Sequence, residues 1–175
     1  MRPEYSPWDM TPETQQDLTA RMDEVMYAGV PEDVEGIVTQ VGRDAVVERM
    51  SGTTDRSSRE WKNARDRLSR YRRGARRPNE ENWQRLRGAA QAGRHTEIRE
   101  ARRAHVTLNA TVTTSSKTWG RADADLTGPD LTDFLDAREA GDDMLAAQIV
   151  FDAYGMDPEM ILSIEDIEGF QMRWG

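Results

Sequence analysis

Cysteine is absent from this chain of 175 residues. That excludes disulfides, thiolate metal sites and thiol nucleophiles. No apolar run approaches the roughly 20 residues that a membrane-spanning helix needs. The opening residues, Met1-Arg2-Pro3-Glu4, lead into no apolar segment of the kind a signal peptide carries. The expectation is a soluble cytoplasmic protein with no membrane partner. Aromatic residues make up 7% of the chain and hydrophobic residues 37%, so cores are expected to be modest and some segments mobile. No glycine-rich phosphate loop, Ser-His-Asp set or paired-carboxylate site stands out, so neither an enzymatic centre nor a cofactor is expected. Asp123-Ala-Asp125-Leu-Thr127-Gly128 begins like a calcium loop. Its twelfth position is Phe134, where the loop requires a bidentate glutamate, so no metal is expected there.

Lysine is nearly absent as well: of 24 basic residues, 22 are arginine. Arginine favours planar, bidentate contacts to phosphate and guanine, although a GC-rich coding sequence produces the same bias. The net charge of −8 argues against a polyanionic partner until its distribution is considered. Residues 1–55 carry 4 basic and 12 acidic side chains, residues 56–103 carry 16 and 6, and residues 104–175 carry 4 and 14. A stretch of net +10 between two acidic flanks is the electrostatic footprint of a phosphate-binding surface. The flanks are placed to restrain nonspecific binding or to cover the basic face.

Residues 1–10 hold two prolines and no periodicity, and read as a flexible arm. Thr11-Pro12-Glu13 is a helix start, with a capping hydroxyl, proline at the first position and an acid for the dipole. Leu18, Met22, Val25 and Met26 follow on one face, and Gly29 ends the helix. Pro31 opens a second helix that Gly42 closes. A third runs from about Arg43 to Met50, and Ser51-Gly52-Thr53-Thr54-Asp55 is turn chemistry. The next helix spans about Ser57 to Arg73. Trp61, Ala64, Leu68 and Tyr71 form its apolar seam. Its opposite face presents Arg59, Lys62, Asn63, Asp66, Ser69, Arg70 and Arg73. Gly74 stops it, Arg76-Arg77-Pro78 is a basic connector, and Asn79 caps another helix that Gly93 is expected to break.

The period then changes. Val106, Leu108, Ala110 and Val112 alternate with polar residues, which predicts a half-buried strand. A polar loop from Ser115 to Pro129 is expected next. Two helices follow, the first with Leu131, Phe134 and Leu135, the second starting at Asp142-Asp143 with Leu145, Ile149 and Val150. Residues 161–164 and 169–174 read as two short strands around an acidic turn. The methionines on apolar faces read as core or subunit interface. The fold expected is mainly α: an N-terminal helical bundle over residues 11–104, then a small α+β module over residues 105–175 suited to dimerisation or partner binding.

The segments Ala45 to Gly52, Arg67-Leu-Ser-Arg-Tyr-Arg-Arg-Gly-Ala-Arg-Arg-Pro78 and Asn82-Trp-Gln-Arg-Leu86 together resemble the helix-turn-helix of bacterial regulators. In that motif one helix braces a second, which carries donors into the major groove. The resemblance implies duplex DNA as partner. Arg59, Asn63 and Arg70 suit base edges, with Lys62, Asp66, Ser69 and Arg73 beside them on the same face. Arg72, Arg76 and Arg77 suit phosphates, which position without specifying. The spacing from the Ser51-Gly52 turn to Leu68 is longer than in the simple motif, so either the recognition helix is extended or residues 53–58 form a loop. His95 and His105 are expected to be solvent-facing or beside the DNA, not metal ligands.

Residues 131–174, with Leu-Thr-Asp-Phe-Leu-Asp-Ala-Arg-Glu-Ala-Gly and a closing Ile-Leu-Ser-Ile-Glu-Asp-Ile-Glu-Gly-Phe-Gln-Met, are similar to the C-terminal module of terminal proteins that cap the telomeres of linear bacterial replicons. The similarity covers about residues 43–174. It implies a threonine hydroxyl joined to the 5′ end of DNA, in partnership with a replication protein. By region the candidates are Thr107, Thr111, Thr113 and Thr114. The alternative for each is a β-branched residue on the exposed face of a strand. Two other functions fit the same residues: a repressor or antitoxin that acts as a homodimer, and an adaptor whose basic segment binds an acidic protein.

Overall fold

The structure, a computed structural model, describes residues 3–175. Local signals set most helix starts. The Thr11 hydroxyl accepts the Thr14 N–H at 3.2 Å, and Pro12 opens α1 (Pro12–Met26). Asp33, not Pro31, caps α2 (Val34–Val41) by accepting the Gly36 N–H at 2.9 Å. After Gly42, whose φ of 98° suits glycine alone, α3 runs over Arg43–Ser51. The Ser58 hydroxyl caps α4 (Arg59–Arg72), and Asn79 supplies the corresponding bond to the Asn82 N–H at the start of α5 (Glu80–Ala101). Strands β1 (Arg103–Thr114) and β2 (Thr118–Thr127), helices α6 (Gly128–Glu139) and α7 (Asp143–Tyr154), and β3 (Ile161–Trp174) complete the chain. The fold is mainly α with one small antiparallel sheet, as the periodicities predict.

The chain divides into two compact units, residues 1–28 with 96–175, and residues 29–95. This differs from a boundary near residue 104. The helical unit is an insertion, and α1 belongs with the sheet. The reason lies in the apolar face of α1. Leu18, Met22 and Met26 join one core with Ala104, Val106, Leu108, Phe134, Phe151, Phe170 and their neighbours. The arm is not loose either. Trp8 is 3% exposed. Its indole N–H donates to the Pro158 carbonyl at 3.0 Å, and its ring meets Phe151 edge-on with centroids 5.6 Å apart. Asp9 pairs with Ser163 in a parallel bridge. One tryptophan supplies the anchoring that periodicity does not register. Met1 and Arg2 of the expected arm lie outside the described residues.

The sheet order is β2-β1-β3. Val106 stands between Ala124 and Met172, and Leu108 between Ala122 and Phe170. That face carries α1, α6 and α7. The opposite face carries His105, Thr107, Asn109, Thr111 and Thr113. Most of the expected loop from Ser115 to Pro129, residues 118–127, is β2, because Ala122, Ala124 and Leu126 alternate onto the core face. The expected acidic turn is a pair of bulges in one continuous β3. Opposite Asn109, Ala110 and Thr111 the register skips Glu168 and then Asp166, and Asp166 takes a left-handed φ of 49°. Beneath the sheet, Arg138 is buried and paired with Asp143 and Asp23, and the Thr19 hydroxyl donates to Asp143. Burial pulls the Arg138 pKa down, but the two carboxylates more than offset it and raise it.

The 29–95 unit has its own small core. Ile37, Val38, Val46, Val47 and Met50 meet the α4 seam and Leu86, Ala89 and Ala90 of α5. The Asn82 side-chain amide donates to the Tyr71 hydroxyl at 2.8 Å inside it. Gly93 does not end α5. A β-carbon there would stand 3.1 Å from Cγ2 of Val41, so this glycine permits close approach instead of termination.

Candidate nucleic-acid interface

Helix α4 separates its faces cleanly. Trp61, Ala64, Leu68 and Tyr71 are buried, whereas Arg59, Lys62, Asn63, Asp66, Ser69, Arg70, Arg72 and Arg73 are all exposed. Arg76 and Arg77 are exposed in the connector that follows. Among the described residues, Arg59, Lys62, Arg70, Arg73, Arg76 and Arg77 make no ion pair, although acidic residues are numerous in the chain.

The helix is held firmly from behind. The connection from α3 is an ordered loop over residues 52–58, which resolves the long spacing in favour of a loop. Gly52 takes a left-handed φ of 72°. The Ser57 N–H and hydroxyl both donate to Asp55, at 3.0 and 2.6 Å, and hold its carboxyl below the usual carboxylate range. The Arg56 guanidinium lies 5.6 Å from the Trp61 ring centroid and pairs with Asp44 of α3 at 3.0 Å. Arg85 of α5 donates to the Met50 carbonyl at 3.1 Å, and Arg49 of α3 donates to the Gly88 carbonyl at 3.1 Å. Arg49, Arg56 and Arg85 thus brace neighbouring elements, although Arg49 and Arg56 are themselves exposed.

Arg72 is held differently from those six cations of α4 and its connector. Its Nε and Nη2 donate to the two carboxylate oxygens of Glu35, both at 2.9 Å. The hydrogen bonds from Arg72 hold the Glu35 carboxyl below its ordinary range, and the same carboxylate raises Arg72. The pair lines an open cleft of about 510 Å³ together with Arg43, Arg65, Asp66, Ser69 and Arg73. Sequence reasoning missed Glu35, Arg43 and Arg65. Arg65, Ser69 and Arg72 share a face by helical spacing, which was a usable signal. Their meeting with Glu35, 37 residues from Arg72, was not legible locally.

The threonines lie on β1 in the other unit. Thr107 is buried, and its hydroxyl donates to Asp123 at 3.1 Å. Thr114 is buried in the β1–β2 turn, where its hydroxyl donates to the Lys117 carbonyl at 3.0 Å and accepts the Lys117 N–H. Neither stands on an exposed face. Thr111 and Thr113 are half-buried opposite Glu165 and Ser163, with no side-chain hydrogen bond among the described residues. The histidines differ as well. His95 is buried, not solvent-facing. His105 sits on the polar sheet face, with Nδ1 2.9 Å from Asp125 and Nε2 2.5 Å from Asp123. Hydrogen bonds from His105 and Arg103 lower the Asp125 carboxyl. For Asp123 desolvation acts upward, but the Thr107 hydroxyl, His105 and Arg121 together lower it. The calcium-like segment is therefore a strand whose carboxylates serve neighbouring cations.

No family model, curated protein or solved structure matches the chain. No helix among the described residues is long and apolar enough to cross a membrane.

Proposed function

We propose that the chain binds duplex DNA through α4, with α3 as the bracing helix of a helix-turn-helix. The observation that carries this is the run of six exposed cations on α4 and its connector that make no ion pair among the described residues, in a chain of net charge −8. Arg59, Asn63 and Arg70 are the base-reading residues in this proposal, with Lys62, Asp66 and Ser69 beside them. Arg73, Arg76 and Arg77 contact phosphates. Selection from a random duplex pool at about 150 mM salt, followed by salt titration, tests it, since log affinity falls with log salt by about 0.9 per phosphate neutralised. An enriched motif relaxed by Arg59→Ala, Asn63→Ala or Arg70→Ala is expected, each costing about 1–3 kcal/mol at its own base pair. Binding indifferent to all three substitutions would sink it and favour an acidic protein partner.

The specific version of this reading is a terminal-protein-like role in replicating linear DNA ends. Thr111 and Thr113 favour it, because of the four candidate threonines these two have hydroxyls that make no hydrogen bond among the described residues. The measurement is mass spectrometry of nuclease-treated protein from its host, with a nucleotide adduct expected on one of the two. An unmodified chain with a palindromic selected motif would instead mark a dimeric repressor.

A further inference from the structure

We infer that the cleft around Arg72 is a seat for a backbone phosphodiester, and that the Glu35 carboxylate occupies it when DNA is absent. The inference rests on the DNA-binding reading and adds to it a ligand site and the group that competes for it. Three observations lead there. The Glu35–Arg72 contact is bidentate, with both bonds at 2.9 Å, and a planar guanidinium presents the same fork to two phosphate oxygens. Both side chains are solvent-accessible, at 37% and 58% for Arg72 and Glu35, so the pair is screened and readily exchanged. Most of the remaining lining suits an oxyanion: Arg43, Arg65, Arg73 and the Ser69 hydroxyl surround the same cleft, and the one further carboxylate there, Asp66, is paired with Arg65. Arg43 and Arg65 reach only their sequence neighbours Asp44 and Asp66, at 3.4 and 3.5 Å, at the long end of ion pairing.

A carboxylate cannot leave the site without exposing a cation to whatever replaces it. A phosphate from a docked duplex offers Arg72 equal geometry, and the neighbouring guanidiniums repel neither group. Glu35 therefore lowers affinity for any DNA by a constant factor, independent of base sequence. It acts as a local brake supplied by the acidic N-terminal flank.

The test uses the full chain as wild type, Glu35→Gln, Arg72→Gln, the double variant, and Glu32→Gln as a control. Glu32 is exposed on the same flank, is not among the residues lining the cleft, and loses the same charge. Binding to one duplex is measured by fluorescence anisotropy across a salt series, with circular dichroism melts to verify folding. Glu35→Gln is expected to bind about fivefold tighter than wild type and to steepen the log–log salt slope by about 0.9. Glu32→Gln is expected to change affinity less than twofold, since screening weakens a charge that makes no contact. Adding Arg72→Gln to Glu35→Gln should abolish the gain. Wild-type binding with Glu35→Gln no tighter than Glu32→Gln overturns the inference and leaves DNA binding standing. A gain that survives loss of Arg72 also overturns it. No binding by any variant at low salt overturns the DNA reading, and the inference with it.

Discussion

At the scale of single residues, the chain sorts its arginines by what stands behind them. Arg49, Arg85 and Arg138 donate to carbonyls or to buried carboxylates and hold elements together, whereas Arg59, Arg70 and Arg73 face water. The carboxylates on the sheet show the complementary pattern. Asp125 is held below its ordinary value of 3.8 by His105 and Arg103. Its contribution to stability is therefore complete above that value and is lost as the pH falls through the lower, folded one. Asp125→Asn is expected to destabilise the sheet at pH 7, and the difference from wild type should shrink as the pH falls below the ordinary carboxylate value of 3.8. Urea midpoints at pH 7, 4 and 3 measure this, and an equal deficit at every pH would rule out the carboxylate's role.

At the scale of elements, α5 poses the sharpest question, because two glycines, Gly88 and Gly93, sit within its run. Alanine at position 93 would gain about 1 kcal/mol of helix propensity. It would also bring a β-carbon to 3.1 Å from Cγ2 of Val41, a β-branched side chain with little rotamer freedom. Gly93→Ala is expected to melt no higher than wild type. With Val41→Ala as well, the clash is gone and the propensity gain should appear relative to Val41→Ala alone. Position 93 looked like a stop because glycine commonly ends helices. Its helical neighbours and the approach of Val41 decide otherwise, and neither is visible in a local window. The same limit applies to β3. Its bulges at Asp166 and Glu168 place acidic residues where a turn would also place them.

At the scale of the whole molecule, two cores share no residue. One is organised by the sheet with α1, α6, α7 and Trp8, and the other by the α4 seam. Charge divides along the same line. Residues 29–95 hold 15 of the 24 basic side chains and only 10 of the 32 acidic ones. Separate cores predict separate responses to damage. Leu68→Ala is expected to cost about 2–5 kcal/mol and Trp8→Ala about 3–5 kcal/mol. Hydrogen exchange should speed up within residues 29–95 for the first and in the sheet for the second. Faster exchange throughout the chain in either variant would show a single cooperative unit instead.

Sequence alone determined the helix starts at Thr11, Asn79 and Asp142, that of α4 to within a residue or two, the buried seam and exposed face of α4, and the apolar alternation of β1. These are consequences of capping chemistry and of two short periods, each contained within a few residues. The tertiary structure decided the rest. It drew α1 and Trp8 to a sheet begun some 90 residues later, turned residues 118–127 into a strand, buried His95, Thr107 and Thr114, and brought Glu35 to Arg72. Each of these depends on which distant surface covers a residue. The free energy of burial and pairing follows that final neighbourhood, which local spacing does not encode.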